Sequence, residues 1–439
     1  MFEVKEKPRM VERALLVGVE TPQTGHTEAE NLLEELRELV RNLRVHVVDS
    51  VIVRMKTPTP RLLLGAGKAA EIIKHARDLN CDCIVFDHEL SPGQQRNWET
   101  ESRLCVIDRQ EVILDIFGER AHTREAVLQV DLARMEYNLP RLKRAWTHLS
   151  RQRGGGVTQR GEGEAQLELD QRMVRNRIAR LKRELGDVVK QRAVQRKQRE
   201  RIPVPTGAIV GYTNAGKSSL LNQLSGSGIY AANQLFATLD PTTRQLELPS
   251  GQKALLTDTV GFVRRLPHRL IDAFKATLEE AVVADFLVHV VDASTPAFED
   301  HYQTTLAVLH ELGADHKPTF VVFNKIDKIE GSAPRMLDFR EEMHPILQVS
   351  AHTGTGLAAL RAAIDAHLAN KLTITELLIP YNRYDLISRL HDSGCIKEEK
   401  AQDQGVHIVG NIPSRLRNQV EPFLLNGSAA PPETLSRHA

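Results

Sequence analysis

GYTNAGKS, residues Gly211 to Ser218, follows the apolar run Gly207 to Val210 and leads directly into SSLLNQL, a helix start. The pattern G-x-x-x-x-G-K-[ST] between a strand and a helix is that of a phosphate-binding loop. Glycine is required at Gly211 and Gly216 so that successive backbone N–H groups can close around phosphate oxygens at a helix N-terminus. Tyr212, Thr213, Asn214, Ala215 and Ser219 lie within the same cradle. Lys217 is placed to bridge the β- and γ-phosphates and Ser218 to ligate Mg2+. A strand, a phosphate loop and a helix predict an α/β fold with a parallel sheet around this point.

Moving outward, the apolar run Ala254 to Leu256 leads into Asp258-Thr-Val-Gly261. An aspartate at a strand end can hold Mg2+ through a water, and the N–H of Gly261 can swing to a γ-phosphate. Further on, Asn324-Lys-Ile-Asp327 ends the hydrophobic strand Phe320 to Phe323. This element selects the base. Asp327 can accept hydrogen bonds from the N1–H and exocyclic amine of guanine; against adenine it would be left unpaired, at a cost of a few kcal/mol. Lys325 can lie over the base, Asn324 can tie this loop to the phosphate loop, and Gln348-Val-Ser350-Ala351 supplies a backbone N–H for the guanine oxygen. The ordered set predicts a GTP-hydrolysing G domain over residues 202–370.

Hydrolysis also needs a threonine that senses the γ-phosphate through the metal. Phe236-Ala-Thr-Leu-Asp-Pro-Thr-Thr-Arg244 supplies three, of which Thr238 is preferred and Thr242 and Thr243 are alternatives. Lys217, Thr238 and Gly261 are therefore the expected catalytic group, with Ser218 and Thr238 on Mg2+. The position after Gly261 is Phe262, where many small GTPases carry a glutamine that orients the attacking water. A phenyl ring cannot do so, which predicts slow hydrolysis that needs a partner or a cation. Arg264 and Arg265 are candidate arginine fingers in cis. Asn214 sits where some related GTPases use asparagine to hold K+ near the phosphates, and that resemblance implies that K+ could replace such an arginine.

Around the G domain the chain changes character. Residues 1–122 alternate apolar runs (Ala14 to Val19, Val45 to Val53, Cys83 to Phe86, Leu104 to Ile107) with helical patterns at Leu32 to Leu43, Ala69 to Leu79 and Gln94 to Glu101, predicting a parallel α/β domain. Residues 123–201 read as a helical hairpin, with helices to about Ser150 and from about Glu164 to Glu200. Leu167, Val174, Ile178, Leu181, Leu185 and Val188 make a packing stripe on its second arm. Between the arms lies RQRGGGVTQRGEGE, a glycine-rich loop carrying Arg151, Arg153, Gly154, Gly155, Gly156 and Arg160, unable to bury itself and suited either to a linker or to contacts with RNA phosphates. Residues 371–427 are expected to form a small α+β domain reading strand, helix, strand, helix, and 428–439 a disordered tail.

Composition is that of a soluble globular chain of 439 residues, 41% hydrophobic and 26% charged. Net charge is +1, yet Arg141 to Arg201 holds 18 Lys/Arg against 7 Asp/Glu. Such segregation points to a polyanion partner for that segment. The 4 cysteines are too few to staple the chain, and Cys81 and Cys83 are expected to be buried thiols rather than metal ligands. With no apolar run long enough to span a bilayer and no apolar leader, a cytoplasmic monomer that binds no DNA is expected, with peripheral membrane association left open.

The switch region DTVGFVRRLPHRLIDAFKATLEEAVVADFLVHVVDAS and the loop GGGVTQRGEGEAQLELDQR together resemble the HflX family of ribosome-associated GTPases. FATLDPTTR is similar to that family's first switch, which supports Thr238, and Phe262 agrees with it as well. The resemblance covers nearly the whole chain. It implies binding to the large ribosomal subunit, with the glycine-rich loop reaching toward ribosomal RNA, and GTP-dependent dissociation of stalled or idle ribosomes. Two rival readings are an RNA-remodelling or modifying factor gated by GTP, and a switch with a non-ribosomal partner. The first is disfavoured because no separate acid, base or nucleophile cluster stands outside the G domain.

Overall fold

The computed structural model describes residues 11–145, 160–199, 204–226, 236, 241–264, 278–329, 346–369, 373–392, 396–412 and 417–425. The first unit alternates β1 (Arg13–Glu20), α1 (His26–Asn42), β2 (His46–Arg54), α2 (Ala66–Asp78), β3 (Cys83–Phe86), α3 (Pro92–Ser102), β4 (Cys105–Asp108) and α4 (Arg109–Arg120). Its strands are all parallel in the order β2-β1-β3-β4. Successive strand side chains point to opposite faces, so β1 feeds two cores. Leu16 joins Leu36, Val85, Val112 and Phe117 on one face, while Leu15 and Val17 join Phe86 and Trp98 on the other.

Helix α4 is absent from the sequence reading. It begins without a linker where β4 ends, and the Asp108 carboxylate that closes the strand caps the helix by accepting from the Glu111 N–H at 3.0 Å. Strand and helix therefore share one apolar stretch, VIDRQEVILDIF, in which neither period stands out.

The hairpin follows as α5 (Arg124–Ala145) and α6 (Arg160–Arg199). Leu181 of the expected stripe is buried against Leu128 and Leu132, flanked by Ile178, Leu185 and Val188. Helix α6 starts four residues before the expected Glu164 and runs through Gly161 and Gly163. Each glycine costs a helix only about 1 kcal/mol.

The central unit holds β5 (Thr206–Gly211), α7 (Lys217–Ser225), β6 (Thr242–Glu247), β7 (Lys253–Asp258), β8 (Phe286–Asp292), α8 (Phe298–Glu311), β9 (Thr319–Asn324), β10 (Ile346–Gln348) and α9 (Leu357–Ala369). Strand order is β10-β9-β8-β5-β7-β6, and only the edge strand β6 is antiparallel to its neighbour. Gly211, Asp258 and Asn324 thus stand at the carboxyl ends of three parallel strands, where sheets of this kind bind ligands.

The last unit is β11 (Thr373–Ile379), α10 (Tyr384–Asp392), β12 (Ile396–Gln402) and β13 (Gly405–Ile412), an antiparallel sheet in the order β11-β13-β12. Strand β12, IKEEKAQ, departs from the expected strand, helix, strand, helix. It is an edge strand studded with charge, the device by which edges avoid pairing with other chains, and that charge hides it from a hydrophobic pattern. Of the last helix expected in this domain, the described part is one turn at Arg417–Val420 with a tighter turn at Glu421–Phe423.

Candidate nucleotide site

At the end of β5 the backbone of Gly211 takes φ +147, and a Cβ there would collide with the Val290 carbonyl on the neighbouring strand β8. Only glycine lets the chain turn at this point. Lys217 opens α7, and its Nζ donates to the carbonyl oxygens of Gly211 at 3.1 Å and Tyr212 at 2.8 Å. Burial pushes its pKa down to about 8, against the pull of Asp258. The Ser218 hydroxyl donates to Asp258 Oδ2 at 2.6 Å, so two hard oxygens converge beside the phosphate loop, a donor set that fits Mg2+.

Gly261 lies against this lysine. A Cβ on it would come within 2.7 Å of Thr213 Cα and 2.8 Å of Lys217 Nζ. Phe262 pairs with the start of the phosphate loop: its N–H donates to Gly211 O at 3.1 Å and its carbonyl accepts from Thr213 N at 2.7 Å. Its ring is buried among Ala208, Val210, Leu278 and Leu287, turned into the core. Arg264, a candidate arginine finger, is already engaged. Its side chain is 11% exposed and pairs with Asp300 at 3.1 Å.

On the base side, Asn324 Nδ2 donates to Ala215 O at 2.9 Å while its Oδ1 accepts from the Ala351 N–H at 2.9 Å. One amide thus joins the phosphate loop, β9 and the segment after β10. The Ala351 N–H expected to reach guanine is engaged here with Asn324. Asp327 accepts from the Ser350 hydroxyl at 2.6 Å, and that hydrogen bond lowers its pKa. Lys325, at φ 63, pairs with Asp292 at 2.7 Å. A cavity of about 420 Å³ opens between Gly216, Ser219, Lys325, Asp327 and Ala351, ample for a purine nucleoside.

The expected residues therefore cluster, with exceptions set by placement. Thr238, Arg265, Arg151, Arg153, Gly154, Gly155, Gly156 and the tail 428–439 lie outside the described residues, and Arg160 opens α6. Thr243 is a strand residue whose hydroxyl meets that of Thr257 at 2.9 Å, and Thr242 stands opposite Asp258 in the β6–β7 register. Cys81 and Cys83 are buried.

Sequence reasoning missed what the first unit contributes. The Tyr212 hydroxyl donates to Glu35 of α1 at 2.8 Å and accepts from the Arg264 N–H at 2.9 Å, while its ring stacks on His301 with centroids 3.7 Å apart. Burial, and then Glu35, raise the tyrosine pKa. Arg109, the buried first residue of α4, pairs with Glu35 of α1 at 2.9 Å and Asp87 at 2.8 Å and reaches the Arg264 carbonyl at 3.4 Å. Burial opposes its charge, but the two carboxylates outweigh it and raise the pKa. Phe236, whose N–H donates to the Thr213 hydroxyl at 3.0 Å, packs edge-on against Phe117 of α4. Tyr212, Phe236, Val260 and Val263 share one apolar core with α1 and α4. Beside it a cavity of about 300 Å³ is lined by Glu34, Glu35, Glu38, Asn214, Asp292 and His301. Burial and the neighbouring glutamates raise the Glu38 pKa, and burial followed by Arg264 pushes His301 down to about 4.

Comparison with known proteins agrees with this layout. Residues 30–118 match a GTP-binding GTPase N-terminal family, 120–199 a GTP-binding GTPase middle region, 206–325 a 50S ribosome-binding GTPase family and 336–426 an HflX C-terminal domain. The chain is 49% identical over 434 residues to GTPase HflX of Akkermansia muciniphila, covering 97% of this chain and 99% of that one. It is 42% identical over 395 residues to GTPase HflX of Escherichia coli, covering 90% and 92%. Among solved structures, a GTP-binding protein from Sulfolobus solfataricus in complex with GDP aligns at a TM-score of 0.44 and 27% identity, over 81% of this chain and 98% of that one.

Proposed function

This chain belongs to the HflX family of GTPases, and on that premise we propose that, with GTP bound, it docks on the large ribosomal subunit and dissociates stalled or idle ribosomes. The observation that carries this reading is the match of residues 206–325 to a 50S ribosome-binding GTPase family, in a chain whose flanking segments match in order. The excess of Lys and Arg between Arg141 and Arg201 supports it, since each such side chain that meets an RNA phosphate releases a counterion. The glycine-rich loop, with Arg151, Arg153 and Arg160, is the part proposed to reach ribosomal RNA, and the cytoplasm is the compartment where that target lies.

GTP lies with its phosphates along Gly211 to Ser219 and its base beside Asp327. The Lys217 ammonium leaves its two carbonyl partners for the β- and γ-phosphate oxygens. The Gly261 N–H turns to the γ-phosphate, which couples the terminal phosphate to Phe262 and Arg264. Ser218, Thr238 and Asp258 would hold Mg2+, which would supply positive charge to the phosphates. Asp327 accepts from the guanine N1–H and amine, its carboxylate aimed by Ser350 and Lys325 lying over the base. With the Phe262 ring in the core and Arg264 tied to Asp300, the attacking water is oriented by a group from the docked partner; Asn214 would hold K+, which would supply positive charge there.

Sucrose-gradient sedimentation of purified ribosomes tests the proposal, using the full chain with a non-hydrolysable GTP analogue, with GDP, and with residues 154–163 deleted. Co-migration with the large subunit and loss of intact ribosomes are expected only with the analogue and only with the loop. A protein that stays at the top of every gradient would leave the GTPase without a ribosomal role.

A further inference from the structure

We propose that Cys83 and Cys105 form a redox-active dithiol, which closes to a disulfide on exposure to a peroxide and reopens with a thiol reductant. The two residues are direct partners in the β3–β4 register. Side chains at paired positions of neighbouring strands project to the same face, and the strands lie about 4.8 Å apart. That separation falls within the Cα range of about 4.4 to 6.8 Å over which a disulfide forms, so closure requires side-chain rotation and little backbone movement.

The two thiols differ in the way the chemistry needs. Cys105 is exposed, at the start of the edge strand β4, and Cys83 is buried behind it. The Cys83 thiol donates to the Ile84 carbonyl at 3.7 Å, and Cys105 is its register neighbour. The interaction between the two thiols holds the Cys105 pKa below its ordinary value, against partial desolvation and the nearby Glu111 and Glu99, and it raises that of Cys83 together with burial. The accessible sulfur is thus the one that ionises first, and the thiolate is the nucleophile. Cys81 does not compete, because it packs in the core on the opposite face of the sheet from Cys83.

Oxidation proceeds in two balanced steps. The Cys105 thiolate attacks a peroxide oxygen; an S–O bond forms, the O–O bond breaks and hydroxide leaves, giving a sulfenic acid. The Cys83 sulfur then attacks that sulfenic sulfur; the S–S bond forms, the S–O bond breaks, and the hydroxyl departs as water with the Cys83 proton. Two thiols are oxidised and one peroxide is reduced to two waters. In a reducing compartment such a bond is transient, as befits a sensor rather than a staple. The far ends of the same two strands deliver Asp87 and Arg109 to the contact with the G domain.

The full-length protein is treated with a small excess of hydrogen peroxide, blocked with N-ethylmaleimide and digested without reduction for mass spectrometry. The expected result is a Cys83–Cys105 linked peptide that disappears after dithiothreitol, with Cys81 and Cys395 still alkylated. The link should persist in Cys81→Ser and vanish in Cys105→Ser, while in Cys83→Ser the Cys105 sulfenic acid should be trapped by dimedone. A wild-type protein in which Cys105 proceeds to the sulfinic acid unlinked, keeps its thiol, or is joined to another cysteine overturns the proposal.

Discussion

The nucleotide pocket and the contact between the first domain and the G domain lie side by side, share Tyr212, and are built on opposite principles. The pocket is assembled from four short segments, 211–219, 258–261, 324–327 and 348–351, each a strand end whose spacing is fixed by the loop it forms. The contact is assembled from single residues, Glu35, Asp87, Arg109, Tyr212 and Arg264, with 177 positions separating the two partners of one hydrogen bond. A loop that must wrap a phosphate constrains its own neighbours in sequence. A contact between two folded surfaces constrains only one side chain on each.

The largest separation between the two regions should come from Asp327→Asn. Replacing the acceptor pair with an amide should weaken GTP by roughly 10³-fold and restore binding to xanthosine triphosphate, whose carbonyl stands where guanine has its amine. Equilibrium titration with fluorescent analogues reads both, and an unchanged preference for guanine would show that the base is chosen elsewhere. Asn214 belongs to both regions, since it lies in the segment 211–219 and lines the acidic cavity facing α1. Turnover measured in NaCl should fall about tenfold below that in KCl, one misplaced charge near the γ-phosphate being worth at least that much. Equal rates would remove K+ from the mechanism. The smallest effect on the chemistry should come from Glu35→Gln, which leaves Arg109 its Asp87 partner and should loosen the domain contact by about 2 kcal/mol. Faster amide exchange in α1 with unaltered GDP affinity is the expected pair of readings; a matching loss of affinity would mean that pocket and contact are one unit.

The same difference decides what is legible in the sequence alone. Lys217, Ser218, Asp258, Asn324 and Asp327 were legible because an α/β sheet presents its strand ends together, so four motifs in order imply one site. The stripe from Ile178 to Val188 was legible through its helical period. Helix α4 was not, because Asp108 ends a strand and caps a helix at once. Strand β12 was not, because its charges answer to its place at an edge. Glu35 and Arg109 carry no local signal: a charged residue on an amphipathic helix reads as solvated, and only the tertiary structure shows Arg109 buried between two carboxylates.

Helix α6 has a mechanical meaning beyond its charge. Its 40 residues amount to a rod of about 60 Å at about 1.5 Å per residue. Through α5 the rod is fastened to the first domain, and through residues 200–205 its other end runs into β5 of the G domain. A pivot of about 5° at the contact made by Tyr212, Glu35 and Arg109 would sweep the far tip through about 5 Å at that length. A displacement at the γ-phosphate too small to matter by itself would thereby be geared up to the scale of a nucleotide spacing.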